Sequence, residues 1–247
     1  MHSSLAHIDH RPWPLPQSRW AWRQTWRELL FAHWPIPVGE LRRYVPPELE
    51  IQEFDGTSWI GLVPFRMTGV MLRPLPDIPW VSAFPELNVR LYVERDGKPG
   101  VWFLSLDAAN PLAVWAARRF FHLPYYLARM SMRLANGTFH YESRRPGADF
   151  AGWYRPVSEV YAAAPGSLEH WLTERYCLYA RRPDGSIWRN EVHHAQWPLR
   201  RAEAEIEENT MLAYHGLRVE GPPALLHYSE RVDVVVWPAK LTTTMFQ

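Results

Sequence analysis

Apolar and polar residues alternate along much of this chain, and the alternation predicts strands. Tyr126, Ala128, Met130, Met132 and Leu134 interleave with Leu127, Arg129, Ser131 and Arg133, the pattern of a half-buried strand over 126–134. Asn136-Gly137 turns that run into a strand over 138–144, because both residues tolerate the positive φ of a tight hairpin. Asp96-Gly97 plays the same part between strands expected at 86–94 and 101–107, and Asp184-Gly185 between 175–181 and 186–195. Further strands are expected over 57–67, 153–162 and 225–237. The segment 22–34 carries both periods. Its aromatic density and the following Pro35-Ile-Pro37 favour a strand, while Trp26, Leu29, Leu30 and His33 also fit a helix.

Helical signals are fewer. A short helix over 38–44 is stopped by Pro46-Pro47. Asn110 and Pro111 suit the cap and first turn of a helix over 110–121, in which Leu112, Trp115, Ala116 and Arg119 follow at helical spacing. Short helices are also expected over 167–173 and 204–212. Short strands, tight turns and few helices give a mainly β (α+β) chain, an antiparallel barrel or sandwich. One domain over 1–247 is expected, with residues 1–17, rich in Pro and His, as a surface arm.

Composition narrows the function classes. The 247 residues can bury a sizeable core, and 47% hydrophobic content excludes disorder. Fourteen tryptophans suit a wide cavity or simply a bulky core. A net charge of +1 gives no broad field for nucleic acid or an anionic membrane, and the Arg-Arg pairs are interleaved with acids. No apolar run is long enough to span a bilayer and no basic-then-apolar leader opens the chain, so a cytoplasmic protein is expected. A single cysteine, Cys177, excludes an internal disulfide and a Cys-based zinc site, and its alternating context reads as a buried, inert thiol. His193 and His194 would point to opposite faces of a strand, which suits no shared metal, and no metal or other cofactor is expected.

Three segments then carry a family signal. Arg118 precedes Pro124 by six residues, and Tyr125 and Tyr126 follow the proline. Arg27-Glu28, Leu41, Val45-Pro46 and Leu49-Glu50-Ile51 form a second set, and Phe84-Pro85-Glu86 a third. In order and spacing these resemble acetoacetate decarboxylases. More closely, the run 84–93 and Leu123-Pro124-Tyr125-Tyr126 are similar to the bacterial YqjF-like family, an uncharacterised branch of the acetoacetate-decarboxylase-like superfamily. The resemblance implies an acetoacetate-decarboxylase-like antiparallel β barrel with a few short flanking helices, and makes 22–34 a strand. In the decarboxylases two adjacent lysines follow the proline; the first forms a Schiff base and the second depresses its pKa. Tyr125 and Tyr126 stand at those positions, and a phenol forms no imine. The chain has two lysines, Lys98 in a hairpin turn that should be exposed and Lys240 near the C-terminus.

The same alignment supplies the candidate site. Tyr125 or Tyr126 would face the cavity, but not both, since neighbours on a strand point to opposite faces. Glu86 is the candidate acid or base; pairing with Arg90 or Arg118 would instead hold it ionised and structural. Arg27 and Arg118 are candidate ligand anchors, because a guanidinium holds a carboxylate in a bidentate grip, or else members of structural salt bridges. His122, beside the motif, is a candidate proton shuttle or a surface residue at a helix end. These residues support a protein that binds a small, carboxylate-bearing molecule and lacks Schiff-base decarboxylation. The alternatives are a lysine-independent enzyme using Glu86 and tyrosine on a keto acid or related substrate, and a structural or interaction protein whose interior is filled. The partner is a small molecule, with no nucleic acid or membrane; a homo-oligomer is compatible.

Overall fold

A computed structural model describes residues 2–75 and 82–242. In chain order the strands are β1 Trp22–Ile36, β2 Glu50–Ile51, β3 Ser58–Leu72, β4 Phe84–Arg95, β5 Lys98–Ala108, β6 Tyr125–Leu127 and β7 Arg129–Ala135. They continue as β8 Thr138–Arg145, β9 Ala148–Pro156, β10 Cys177–Arg181, β11 Ile187–His193, β12 Leu199–Asn209, β13 Leu225–Val236 and β14 Lys240–Leu241. The helices are α1 Val38–Leu41, α2 Pro111–Ala116, α3 Leu168–Thr173 and α4 Met211–Tyr214, and a π-helical turn, Ala117–Phe121, extends α2.

Strand pairing runs β11–β10–β5–β4–β3–β1–β13, and β13 pairs back onto β11 through Val192↔Val236 and His193↔Val235. That path closes on itself. From β13 the sheet continues outward through β12, β9 and β8 to β7. Most pairs are antiparallel, as expected, but β6 and β10 both lie parallel to β5. The two turns at Asp96-Gly97 and Asn136-Gly137 have positive φ at both residues, which the hairpin signals required.

Period-two alternation divides the strands between two cores. Leu30, Ala32 and Trp34 of β1 join Leu87, Val89 and Leu91 of β4 in a core shared with Phe139, Tyr141, Phe150 and Tyr154 of the outward strands. Leu29 and Phe31 join Val63, Phe65, Trp197 and Val234 in a second core within the closed path. The opposite face of β4 carries Glu86, Asn88 and Arg90, all buried. A strand buried on both sides with one face polar is the unusual element of this fold.

Several expected elements need correction. Residues 204–212 are not a helix: β12 pairs with β9 through Ala202↔Pro156 to Asn209↔Phe150, and a short helix follows only at α4. Glu and Ala favour a helix intrinsically, but Ala202, Ala204 and Ile206 pack against the core while Glu203, Glu205 and Glu207 are exposed, so packing overrides propensity. The expected single strand over 126–134 is two strands, β6 and β7, separated at Ala128. The strand at 153–162 starts earlier and ends at Pro156. In α2, Asn110 Oδ1 accepts from the Leu112 and Ala113 amides at 3.0 Å, as its cap role requires. Leu112 and Trp115 nevertheless face outward, and Ala113, Ala116, Ala117 and Phe121 face the interior. The N-terminal segment is also more than a surface arm. Its Arg11 pairs with Glu191 at 3.2 Å and donates to the Val192 carbonyl, and Trp13 Nε1 donates to Glu191 at 2.7 Å.

Candidate functional site

The closed strand path surrounds a cavity of about 170 Å³. Its walls are largely apolar and aromatic, with Trp22, Trp26, Phe65, Phe84, Phe103 and Phe121 among them. The polar residues in the walls are therefore few and conspicuous.

Glu86 and Tyr125 form one polar end. The β5–β6 register sets Leu106 beside Tyr125 and Asp107 beside Tyr126, so Tyr125 turns toward the cavity and Tyr126 away from it. The Tyr125 hydroxyl donates to Glu86 Oε2 at 3.0 Å. Burial raises the Glu86 carboxyl to about 8, Asp107 adds to the rise, and the bond from Tyr125 opposes it. At neutral pH Glu86 is thus mostly a neutral acid, with one O–H to give. The expected pairing of Glu86 with Arg90 or Arg118 does not occur. Burial and the adjoining carboxyl also push the Tyr125 phenol well above its ordinary value.

Arg90 and Arg175 form the other end. Arg90 follows Glu86 and Asn88 on the same face of β4, and Arg175 enters from the loop before β10. Arg90 donates to the Tyr92 hydroxyl at 3.2 Å and the Leu172 carbonyl at 3.1 Å. Arg175 donates to the Trp171 carbonyl at 2.7 Å and to Gln52 Oε1, and Gln52 in turn donates to Glu94. Both guanidinium groups lie over the Tyr92 ring, at 5.5 and 5.1 Å from its centre. All their direct partners are neutral, and Arg175 Nη2 is buried without any partner. Burial, with Arg90 adding repulsion, lowers the Arg175 guanidinium to about 10. Tyr92 itself is held by His33 Nε2 at 2.6 Å, and Gly61 makes room for that pair: a Cβ there would come within 3.1 Å of the His33 ring and 3.2 Å of the Tyr92 hydroxyl.

Further polar atoms in the walls are also unpartnered: Asn88 Oδ1, Asn190 Oδ1 and Trp197 Nε1. His194 shares the wall, its Nδ1 bonded to the Ala195 carbonyl at 2.7 Å, and burial lowers it to about 4, so it is neutral. Cys177 lines the cavity as a buried thiol pushed up to about 12 by burial.

Three candidates from the sequence sit elsewhere. Arg27 lies on β1 beside a bulge at Glu28 (φ 56), level with Arg66 and Arg231, and does not line the cavity. Arg118 holds the motif from outside, donating through Nε to the Tyr125 carbonyl at 2.5 Å. His122 adopts a left-handed conformation, φ 53, that ends the helical turn, and it too stays out of the cavity wall. Lys98, expected to be exposed, bonds Glu191 Oε1 at 2.8 Å; neither it nor Lys240 lines the cavity. Among the described residues no cluster of three or more His, Cys, Asp or Glu is placed to hold a metal, and no helix is long and apolar enough to cross a membrane.

Arg90, Arg175, Asn88 and Asn190 were missed as site residues. Asn88 and Arg90 had a signal: polar residues at every second position of a strand whose alternate positions are Leu87, Val89 and Leu91. Arg175 had none, because only the long-range pairing of β10 with β5 brings it near β4.

The architecture is that of the acetoacetate decarboxylase-like fold. Acetoacetate decarboxylase from Legionella pneumophila superposes with a TM-score of 0.64 at 13% identity, over 95% of this chain and 93% of that one. An acetoacetate decarboxylase-like enzyme from Sphingomonas wittichii RW1 gives 0.64 at 11% identity, over 97% and 100%. The enduracididine biosynthesis enzyme MppR, complexed with pyruvate, gives 0.62 at 11% identity, over 94% and 93%. At such identities the likeness is one of fold. Within that fold, residues 23–233 match DUF2071, described as an uncharacterised conserved protein, and the chain belongs to that family. It is 44% identical over 229 residues to the uncharacterised protein YqjF of Bacillus subtilis (strain 168), covering 92% of this chain and 94% of that one.

Proposed function

We propose that this protein binds a small, carboxylate-bearing organic molecule inside the strand ring, which serves as a barrel around it. The observation that carries this reading is the pair of buried guanidinium groups, Arg90 and Arg175, whose direct partners are all neutral. Glu94 acts on Arg175 only from beyond Gln52, and a buried charge with no carboxylate in direct contact costs roughly several kcal/mol, a cost that an entering carboxylate would lower through charge-assisted bonds to groups such as Arg175 Nη2. Arg175 and Arg90 take over the anchoring role expected of Arg27 and Arg118. One neighbour of the same fold is complexed with pyruvate, a ligand of this chemical type.

The reading includes the absence of Schiff-base decarboxylation, since the cavity wall offers phenol rather than amine at Tyr125. The purified protein should produce no acetone from acetoacetate above background. A filled, purely structural interior is disfavoured by the cavity itself. Catalysis without lysine has a specific observation in its favour: Glu86 is a neutral acid bonded to a phenol, a pair able to donate to a developing oxyanion.

Native and denaturing mass spectra of gently purified protein, together with calorimetric titration of small carboxylates, test the binding reading. A bound acid, or titratable binding, that weakens at least tenfold in Arg175→Gln is the expected result. Binding that is indifferent to both Arg175→Gln and Arg90→Gln overturns it.

A further inference from the structure

The two polar ends of the cavity are far apart, and their spacing limits what kind of acid can use both. Glu86, Asn88 and Arg90 occupy successive positions on one face of β4, so the α-carbons of Glu86 and Arg90 are about 13 Å apart at the rise of a strand. The charged group that acts on the Glu86 carboxyl is Asp107; no arginine is among its influences. One end therefore offers positive charge, and the other offers a neutral carboxyl and a phenol. An α-keto acid, whose carbonyl adjoins its carboxylate, is too short to engage both.

Resting on the proposed carboxylate reading, we infer that the ligand is an extended, one-ring aryl acid. Its carboxylate sits at Arg90 and Arg175, and a distal oxygen on the ring is hydrogen-bonded by Glu86 and Tyr125. The volume agrees: about 170 Å³ is close to the roughly 150 Å³ of an apolar cavity known to admit benzene. The walls agree as well, because Phe65, Phe103 and Leu106 flank the space along β4, as suits a flat apolar ring. Asn88 lies between the ends and can turn either its oxygen or its amide NH₂ toward the ligand, so it serves this arrangement without selecting it. At the distal end the pair is complementary to a hydroxyl. The neutral Glu86 has a proton to donate, and its carboxyl oxygens can accept one. An analogue without the oxygen would leave those groups unpaired.

Calorimetric titration of the full chain with pyruvate, phenylacetate and 4-hydroxyphenylacetate tests the inference. The expected order places 4-hydroxyphenylacetate at least tenfold tighter than phenylacetate, and pyruvate weakest. In Tyr125→Phe, which conserves volume, the advantage of the hydroxyl should shrink from tenfold to less than threefold, and Arg175→Gln should weaken both aryl acids. Thermal unfolding of each variant verifies that it is folded, and Glu86→Gln serves as the second variant at the distal end. If pyruvate binds as tightly as the aryl acids, with dependence on Arg175 retained, the extended ligand is wrong while the carboxylate reading stands. If no acid binds the parent protein, both fall. A hydroxyl advantage that survives in Tyr125→Phe and in Glu86→Gln overturns the assignment of the distal end.

Discussion

Two buried acids on opposite sides of one seam are treated in opposite ways. Asp107 and Tyr126 lie on the side of β5 and β6 away from the cavity, Glu86 and Tyr125 on the side facing it. Asp107 is fully provided for. Arg145 Nε reaches both its oxygens, at 2.8 and 3.0 Å, Ser143 donates at 3.2 Å, and the guanidinium is clamped between the Tyr126 and Tyr214 rings, 4.2 Å from each centre. Burial raises the Asp107 carboxyl, and Arg145 and Ser143 pull it back. Glu86 has a phenol and no cation, while the two cations of the cavity, Arg90 and Arg175, have no carboxylate in direct contact. Matched charges on one side are what folding alone requires. Mismatched charges around an open space are what a ligand could complete.

The largest test of this contrast is on the matched side. Asp107→Asn leaves the Arg145 charge buried and unpaired, and should cost about 3–5 kcal/mol in denaturant unfolding. Arg175→Gln, by contrast, removes a buried charge that had no carboxylate in direct contact, and should leave the protein as stable as the parent or more so while weakening acid binding at least tenfold. If Arg175→Gln destabilises as strongly as Asp107→Asn, the asymmetry between the two sides is not real.

Next in size is the pH dependence of Glu86. Below its ordinary value of 4.5 the carboxyl is protonated both folded and unfolded, and its full contribution to stability is present. Between 4.5 and about 8 the unfolded chain releases the proton and the folded chain keeps it, so stability falls as pH rises, and the loss is complete above about 8. The contribution of Glu86 to the slope should approach roughly 1.4 kcal/mol per pH unit, for a total on the order of 5 kcal/mol. The difference between the parent and Glu86→Gln profiles isolates this contribution, because burial lowers His33, His193, His194, His215 and His227 and makes stability rise with pH below 6.5. A variant with the parent's slope from pH 5 to 8 would mean that another group titrates.

Much of this arrangement was legible before folding, and the illegible parts share one cause. The opposite orientations of Tyr125 and Tyr126 follow from strand periodicity, and Glu86 and the Arg118–Tyr126 motif from the family resemblance. Arg118 was legible as important but not in its role: it fixes the backbone of Tyr125 and does not enter the cavity. Arg27 came from the family resemblance alone, which does not show that, beside the bulge at Glu28, it lies level with Arg66 and Arg231 and outside the cavity wall. The Ala- and Glu-rich stretch of β12 read as a helix because its inward positions are mostly small alanines, a weak period-two signal until β9 lies beside them. Arg175 is the deepest omission. Trp171 is only four residues away, but Gln52 and the ring of Tyr92 belong to distant stretches of chain that no local pattern joins to it.

The smallest effect separates a bonded pair from two neighbouring groups. Tyr125→Phe removes one hydrogen bond to Glu86 and leaves the ring's packing, so its stability cost should be about 1 kcal/mol. Its direction on titration is the more informative readout. The Tyr125 bond favours the charged carboxylate and lowers the Glu86 value against the rise caused by burial. Without it the titration of Glu86 should move above about 8, read by NMR of the labelled carboxyl carbon. The contrast with Tyr126→Phe is then direct, because that phenol lies across the seam beside Asp107 and Arg145, and its loss should leave the Glu86 titration where it is. A downward shift in Tyr125→Phe would mean that water or another donor reaches Glu86 once the hydroxyl is gone. The carboxyl would then be solvated and not held neutral by the cavity.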